Sequence, residues 1–202
     1  KLQNNFTIIN VVNKISFLGL CIDSRLDWTF HIEHLSQSLS RYPFALKNLK
    51  KLVNTNAAKT AYHAYVESRL RYAVIFWGNA SDSERLFIIQ KRCVRSIFGL
   101  NFRDHCKDTF RDKEILTFYS LYVLEAILFV RKNFDLFEIN TRNHAVNTRH
   151  KKNLKPDCFK YTYLQKNVAS TVIAIYNKFN TSPESIKNLP LHNLKKILRN
   201  VL

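Results

Sequence analysis

Apolar positions along this chain recur first at strand spacing and then at helical spacing. Residues 6 to 12, FTIINVV, and 15 to 22, ISFLGLCI, are rich in β-branched and aromatic side chains and predict an antiparallel hairpin joined at Asn13 and Lys14. After DSRLDW the period becomes helical from about Phe30 to Val53, and Pro43 is expected to kink or split that helix near Tyr42. A second helix is expected from the caps Asn54 and Thr55 to about Trp77. Its Ala57, Ala61, Ala64, Tyr65, Ser68 and Tyr72 fall on one narrow stripe of mostly small residues, a face that would let a neighbouring helix approach closely.

The third helix is LFIIQKRCVRSIFGL, residues 86 to 100. It opens on SDSE, a capping-box pattern with Ser81 as cap and Glu84 at N3, and it ends before Gly99. Leu86, Ile89, Cys93, Val94, Ile97 and Phe98 share an apolar arc with Gln90 near its middle, while Lys91, Arg92 and Arg95 lie opposite. Residues 115 to 130, ILTFYSLYVLEAILFV, are apolar all round. Sixteen residues with a central Glu fall short of the roughly 20 that cross a bilayer, so a buried core helix is expected. Glu125 then requires a partner, and Gln90 a hydrogen bond to Glu125 or to a freed backbone group. Beyond Asp135 the pattern fades into NTRHKKNLKPD. It resumes in YLQKNVASTVIAIYNKF, in SPES with Ser182 as cap and Pro183 at the first helical position, and in the basic amphipathic LHNLKKILRNVL.

Composition supports this mainly α reading. Glycine and proline are scarce, at 3 and 4 of 202 residues, which excludes a glycine-rich phosphate cradle, and 46% of the chain is hydrophobic. The chain opens mid-pattern and without Met, and is read as a fragment of a longer polypeptide. Cys21, Cys93, Cys106 and Cys158 lack metal-ligand or disulfide spacing, so a reduced intracellular setting, nucleus or cytoplasm, is expected.

Charge changes the picture more. The formal net charge is +17, the mark of a partner such as nucleic acid or an anionic surface. The excess lies in two blocks: residues 29 to 100 hold 11 Lys and Arg against 4 Asp and Glu, and residues 134 to 202 hold 12 against 4, whereas residues 101 to 133 hold 6 against 5. Lys47, Lys50, Lys51, Arg69, Arg71, Lys91, Arg92, Arg95, Arg149, Lys151 and Lys152 are the candidate phosphate contacts. Tyr62, Tyr65, Tyr72, Phe76 and Trp77 could stack on bases; most of them are expected in the core, with Trp77, beside Gly78, the best candidate for stacking.

Catalytic constellations fail on inspection. Asp23 and Asp27 read as turn or capping residues, His31 and His34 as a surface pair, and His105 beside Cys106 as too isolated for a nucleophile dyad. No metal site is expected.

The ordered segments FLGLCIDSRLDW, HIEHL, RYAVIFWGN, LFIIQKRCVRSIFG, ILTFYSLYVLEAILFV, NTRHKKNL and YNKF resemble the region downstream of the catalytic core in reverse transcriptases of Jockey-like non-LTR retrotransposons. The resemblance runs over nearly the whole chain. It implies that Phe17, Leu18 and Gly19 belong to a primer-grip hairpin closing the polymerase palm (residues 1 to 28). A helical thumb-like bundle (29 to 133) and a basic helical C-terminal extension (134 to 202) would follow. Implied partners are template RNA, DNA primer or target, and upstream polymerase and endonuclease domains of the same polypeptide, with Mg in the upstream site and no cofactor in this chain. The family's YxDD box and Cys/His knuckle are missing from this sequence, so the chain is expected to be inactive alone. A helical protein-interaction module and a membrane-surface module anchored by LHNLKKILRNVL are the rival readings.

Overall fold

The computed structural model describes residues 12–139, 153–156, 159–160, 167–179 and 189–200. The chain is mainly helical behind an N-terminal two-stranded antiparallel hairpin, β1 (Lys14–Phe17) and β2 (Leu20–Asp23). The register pairs Lys14 with Asp23 and Phe17 with Leu20, which makes Leu18 and Gly19 the turn instead of Asn13 and Lys14. Both turn residues have positive φ, 49° and 79°, the type I′ pattern whose twist matches that of paired strands. Residues 6 to 11 of the expected first strand lie outside the described residues.

The loop after β2 is organised by one carboxylate. Asp23 is buried, and its oxygens accept from the backbone amides of Arg25, Asp27 and Trp28 at 3.0, 3.3 and 3.1 Å. Asp27 accepts from the Thr29 amide at 3.0 Å, and that bond holds its carboxyl below the usual carboxylate range. Of the turn or capping role expected of both residues, the turn is the one seen: the N-cap of the helix that follows, Trp28, makes no side-chain cap bond. Leu26 and Trp28 sit at φ 56° and 65°, a conformation costly for side chains with a Cβ, and the three bonds to Asp23 hold it.

Pro43 does split the first helical segment. The products are α1 (Thr29–Leu39) and α2 (Tyr42–Leu52), with the proline in the first turn of α2, where its missing N–H leaves no intrahelical bond unmade. Asn54 caps α3 (Thr55–Tyr62) by accepting from the Ala57 amide at 2.8 Å. The helix then runs through a π turn, His63–Glu67, into α4 (Ser68–Arg71), and breaks at Tyr72 and Ala73 before the single turn α5 (Val74–Trp77).

The buried stripe of this segment is Ala58, Tyr62, Val66, Leu70 and Val74, a strict four-residue repeat. In an α-helix such a stripe drifts by about 40° per step; the wider π turn takes up part of that drift so that the first four stay inward, and Val74 follows beyond the break at Tyr72 and Ala73. The small-residue stripe expected to receive a neighbour faces out instead, with Ala64, Tyr65, Ser68 and Tyr72 exposed. Large apolar side chains gain more from burial than alanines, so the bulky stripe takes the core.

A 3₁₀ turn, Ser81–Ser83, leads into α6 (Glu84–Phe98), and no side chain caps either start, so the capping box is not formed. The end of α6 is as expected: Gly99 is left-handed at φ 75°, and the Gly99 and Leu100 amides both donate to the Arg95 carbonyl at 2.8 and 3.0 Å. α7 (Lys107–Asp112) is short, and α8 (Phe118–Lys132) is the apolar core helix, starting three residues later than its hydrophobic run. Thr117 caps it by accepting from the Ser120 amide at 3.2 Å.

α9 (Val168–Phe179) and α10 (Leu191–Asn200) pack on α8, and Val172, Ile173, Tyr176 and Leu194 join the same core as the earlier helices. Leu154 is locked to α9 by Asn177, whose side chain accepts from its amide at 2.9 Å and donates to its carbonyl at 2.8 Å. No helix among the described residues is long and apolar enough to cross a membrane.

Candidate nucleic-acid interface

α6 presents two different surfaces. Leu86, Ile89, Cys93, Val94 and Ile97 are buried against α2, α3 and α8, and Gln90 is buried completely among them. The Gln90 amide nitrogen donates to the Tyr62 hydroxyl at 2.7 Å and to the Leu116 carbonyl at 2.9 Å, and its oxygen accepts from the Phe118 amide at 2.7 Å. Phe118 is the first residue of α8, whose N–H has no partner within its own helix. Gln90 thus caps a neighbouring helix from outside, through the freed backbone groups and not through Glu125. Burial pushes the Tyr62 hydroxyl well above its ordinary pKa and the Cys93 thiol up to about 12, so both stay neutral beside it.

Glu125 finds Arg71 instead, at 2.6 Å, so this guanidinium is partly neutralised. Arg95 turns inward, its Nε and Nη2 donating to the Asp104 carbonyl at 3.1 and 2.8 Å. Arg69 donates to the Ser38 hydroxyl at 2.8 Å and stands 5.4 Å from the Tyr42 ring centroid. Three of the candidate phosphate contacts therefore also serve the fold. Arg149, Lys151 and Lys152 lie outside the described residues.

Trp77 cannot stack on a base. It is fully buried, its indole donates to the Tyr72 carbonyl at 3.1 Å, and its ring lies against Phe118 at 5.7 Å. A Cβ at Gly78 would come within 2.6 Å of Tyr122, so the glycine lets this turn press onto α8 and draw Trp77 inside. Of this group, expected mostly in the core, only Tyr62 and Trp77 are buried there, while Tyr65, Tyr72 and Phe76 are exposed. His31 is likewise no surface residue: it is buried, accepts weakly from the Cys21 amide at 3.4 Å, and packs on Trp77 at 5.3 Å.

What the fold does bring together lies at the C-terminal end of α6. The Lys50 ammonium reaches to within 3.0 Å of where a Gly99 Cβ would stand, Lys113 lies 5.7 Å from the Phe98 centroid, and Lys59 donates to the Lys113 carbonyl at 2.6 Å. The negative end of the helix dipole offsets part of their mutual repulsion. None of the ion pairs among the described residues involves Lys47, Lys50, Lys51, Lys59, Lys91, Arg92 or Lys113. Lys59 and Lys113 escape sequence reasoning because 54 residues separate them and only tertiary packing joins them.

The expected primer-grip residues form the hairpin tip. Phe17 and Leu18 are exposed at 57% and 72%, and the Leu18 carbonyl accepts from the Tyr72 hydroxyl at 2.6 Å. Tyr72 and Arg71 also line an open cavity of about 580 Å³ with Glu125 and with His63, whose Nδ1 lies 2.6 Å from Glu67 on the π turn. Among the described residues no group of three or more His, Cys, Asp or Glu is placed to hold a metal ion.

The architecture defines the class of molecule as a mainly α chain with an N-terminal hairpin and a strongly basic surface. Comparison with protein-family models, curated proteins and solved structures finds no match.

Proposed function

We propose that this chain is the nucleic-acid-gripping part of an RNA-directed DNA polymerase of the non-LTR retrotransposon type, acting inside the cell. It would hold template RNA and DNA primer during target-primed copying, while the chemistry belongs to residues upstream. The observation that carries the nucleic-acid half of the reading is the set of lysines on α2, α3, α6 and the loop before α8 that no carboxylate among the described residues pairs with. Phosphates are the ligands such groups favour, because each contact releases condensed counterions. The polymerase half rests on the ordered sequence segments and on the exposed Phe17–Leu18–Gly19 tip.

The test is charge reversal at Lys47, Lys51, Lys91 and Arg92, which lie clear of the hydrogen bonds that hold Arg69, Arg71 and Arg95. Affinity for an RNA–DNA primer-template, measured across salt, is expected to fall, and the slope of log K against log salt to flatten by about 3 to 4. Unchanged affinity and slope overturn the reading.

A protein-interaction module is the second reading, favoured by the exposed Ile15, Phe17, Leu18 and Phe30. It predicts no RNA or DNA binding even at low salt.

A further inference from the structure

A second feature of α6 is not absorbed by the lysine cluster. On its other flank, α6, α7 and the start of α8 enclose a cavity of about 370 Å³. Its wall is aromatic: Phe87 and Tyr119 meet with centroids 5.1 Å apart and planes at 62°, and Phe110 lies 6.2 Å from Phe87. Its rim carries the cations Lys91, Lys107 and Arg111 together with His105, and no carboxylate among the described residues lines it. Arg111 is engaged by Asp108 at 2.9 Å and by Asp112 at 3.5 Å. Lys91 and Lys107 are outside the ion pairs of the described residues, and the Lys91 ammonium stands 4.6 Å from the Phe87 centroid.

We propose that this cavity receives one unpaired nucleobase of a single-stranded nucleic acid, with the adjoining phosphate held by Lys91 and Lys107. The proposal rests on the nucleic-acid reading above and deepens it. Two rings inclined at 62° form a corner in which a base stacked on one is met by the other, and every base has the π-face this requires. The volume lies at the small end of ligand pockets, which suits one nucleotide and rejects a base pair. Thr117 and Ser120, whose hydroxyls lie 3.0 Å apart, add polar edges to the wall. Cys106 adds no negative charge to oppose the phosphate, because burial raises its thiol pKa. Since α6 carries Lys91 and Phe87 on this flank and Arg92 beyond it, one helix would serve both the inserted base and the backbone that leads to it.

The experiment uses the full chain and single-stranded oligonucleotides of about ten nucleotides, the scale of a small single-strand site. Wild-type affinity for an ordinary oligonucleotide is expected to exceed that for a fully abasic one of the same length by on the order of tenfold. Oligonucleotides carrying 4-thiouridine are expected to photo-crosslink to peptides within residues 87 to 119. The double variant Phe87→Leu/Tyr119→Leu keeps apolar volume and removes the ring faces, so the abasic gap and the crosslink are both expected to collapse while the salt-dependent remainder persists. Lys107→Glu, at an exposed position, is expected to weaken the same crosslink without touching the core. Binding with no abasic gap, or with a gap and crosslink that both variants keep, overturns the base pocket and leaves the phosphate grip standing. Failure to bind any oligonucleotide or primer-template at low salt overturns both.

Discussion

Replacing Gln90 by Leu is the sharpest test of how α6 divides structure from binding. The side chain is fully buried, and leucine fills a similar volume, so no large cavity forms. What changes is the fate of three groups: the Tyr62 hydroxyl, the Leu116 carbonyl and the Phe118 amide each lose the partner that Gln90 supplies. A buried polar group left without a partner costs about 1–3 kcal/mol, so the gross loss is about 3–9 kcal/mol. Burying leucine in place of the amide returns about 1.5–3 kcal/mol. The midpoints of these ranges leave an expected net destabilisation of about 4 kcal/mol, and for a chain of this length that lowers Tm by about 10 °C. Thermal and urea melts followed by circular dichroism read the effect, and hydrogen exchange at Phe118 should rise above that at the middle of α8. RNA affinity, measured where the variant is still folded, is expected to stay as in the wild type. A variant that melts within a degree of wild type, or one that keeps its Tm and loses RNA affinity, would refute the reasoning.

Three further outcomes follow from single contacts. His31 is held below its ordinary pKa of 6.5, first by burial and then by the His34 charge, so the unfolded chain binds the proton more tightly. Its contribution is full above about pH 6.5 and is lost as pH falls through the lowered native value; His31→Gln should flatten that acid limb of a stability–pH curve, and an unchanged limb counts against the assignment. Gly99→Ala forces a Cβ into φ 75° and pushes aside the Lys50 ammonium, with an expected cost of about 1–2 kcal/mol in urea unfolding that Gly99→Asn should reduce. Arg71 and Glu125 are 37% and 25% exposed, so a double-mutant cycle should return a coupling of about 0.5–1 kcal/mol; a coupling several times larger would mean the pair is far less solvated than its geometry states.

Helical periodicity, the break at Pro43, the Asn54 cap and the Gly99 terminus were readable because each depends on residues within one or two turns of one another. The hairpin register was not. Asn13 and Lys14 look like turn residues by composition, but the type I′ geometry needs positive φ at both positions, and Gly19 supplies one while Leu18 accepts the strain. The inward stripe of the segment through α3 and α4 was hidden by its π turn, which changes the residue-to-angle conversion on which stripe reading depends. The burial of Trp77 is not legible locally, because adjacency to a glycine reads as a loop, whereas here Gly78 permits close approach to α8. For the candidate site, the apolar arc of α6 and the burial of Gln90 were legible. The meeting of Lys50, Lys59 and Lys113 was not, since no local pattern records which helix ends converge. The same holds for the cavity of Phe87, Phe110 and Tyr119, whose walls come from three helices.

The hairpin is fastened at both ends. At its base Asp23 gathers three backbone amides, along β2 His31 meets Cys21, and at its tip the Tyr72 hydroxyl holds the Leu18 carbonyl. A two-stranded ribbon tied at one end would swing as a flap, but tied at both it behaves as a strut. A load on Phe17 or Leu18 is therefore passed to Tyr72 and Ala73, where the long helix breaks and Ala73 sits at φ 50°. From there the rigid body of α4 carries it to Arg71 and its Glu125 partner on α8. The tip is thus joined to the core helix by a continuous line of covalent, hydrogen-bonded and ion-paired links.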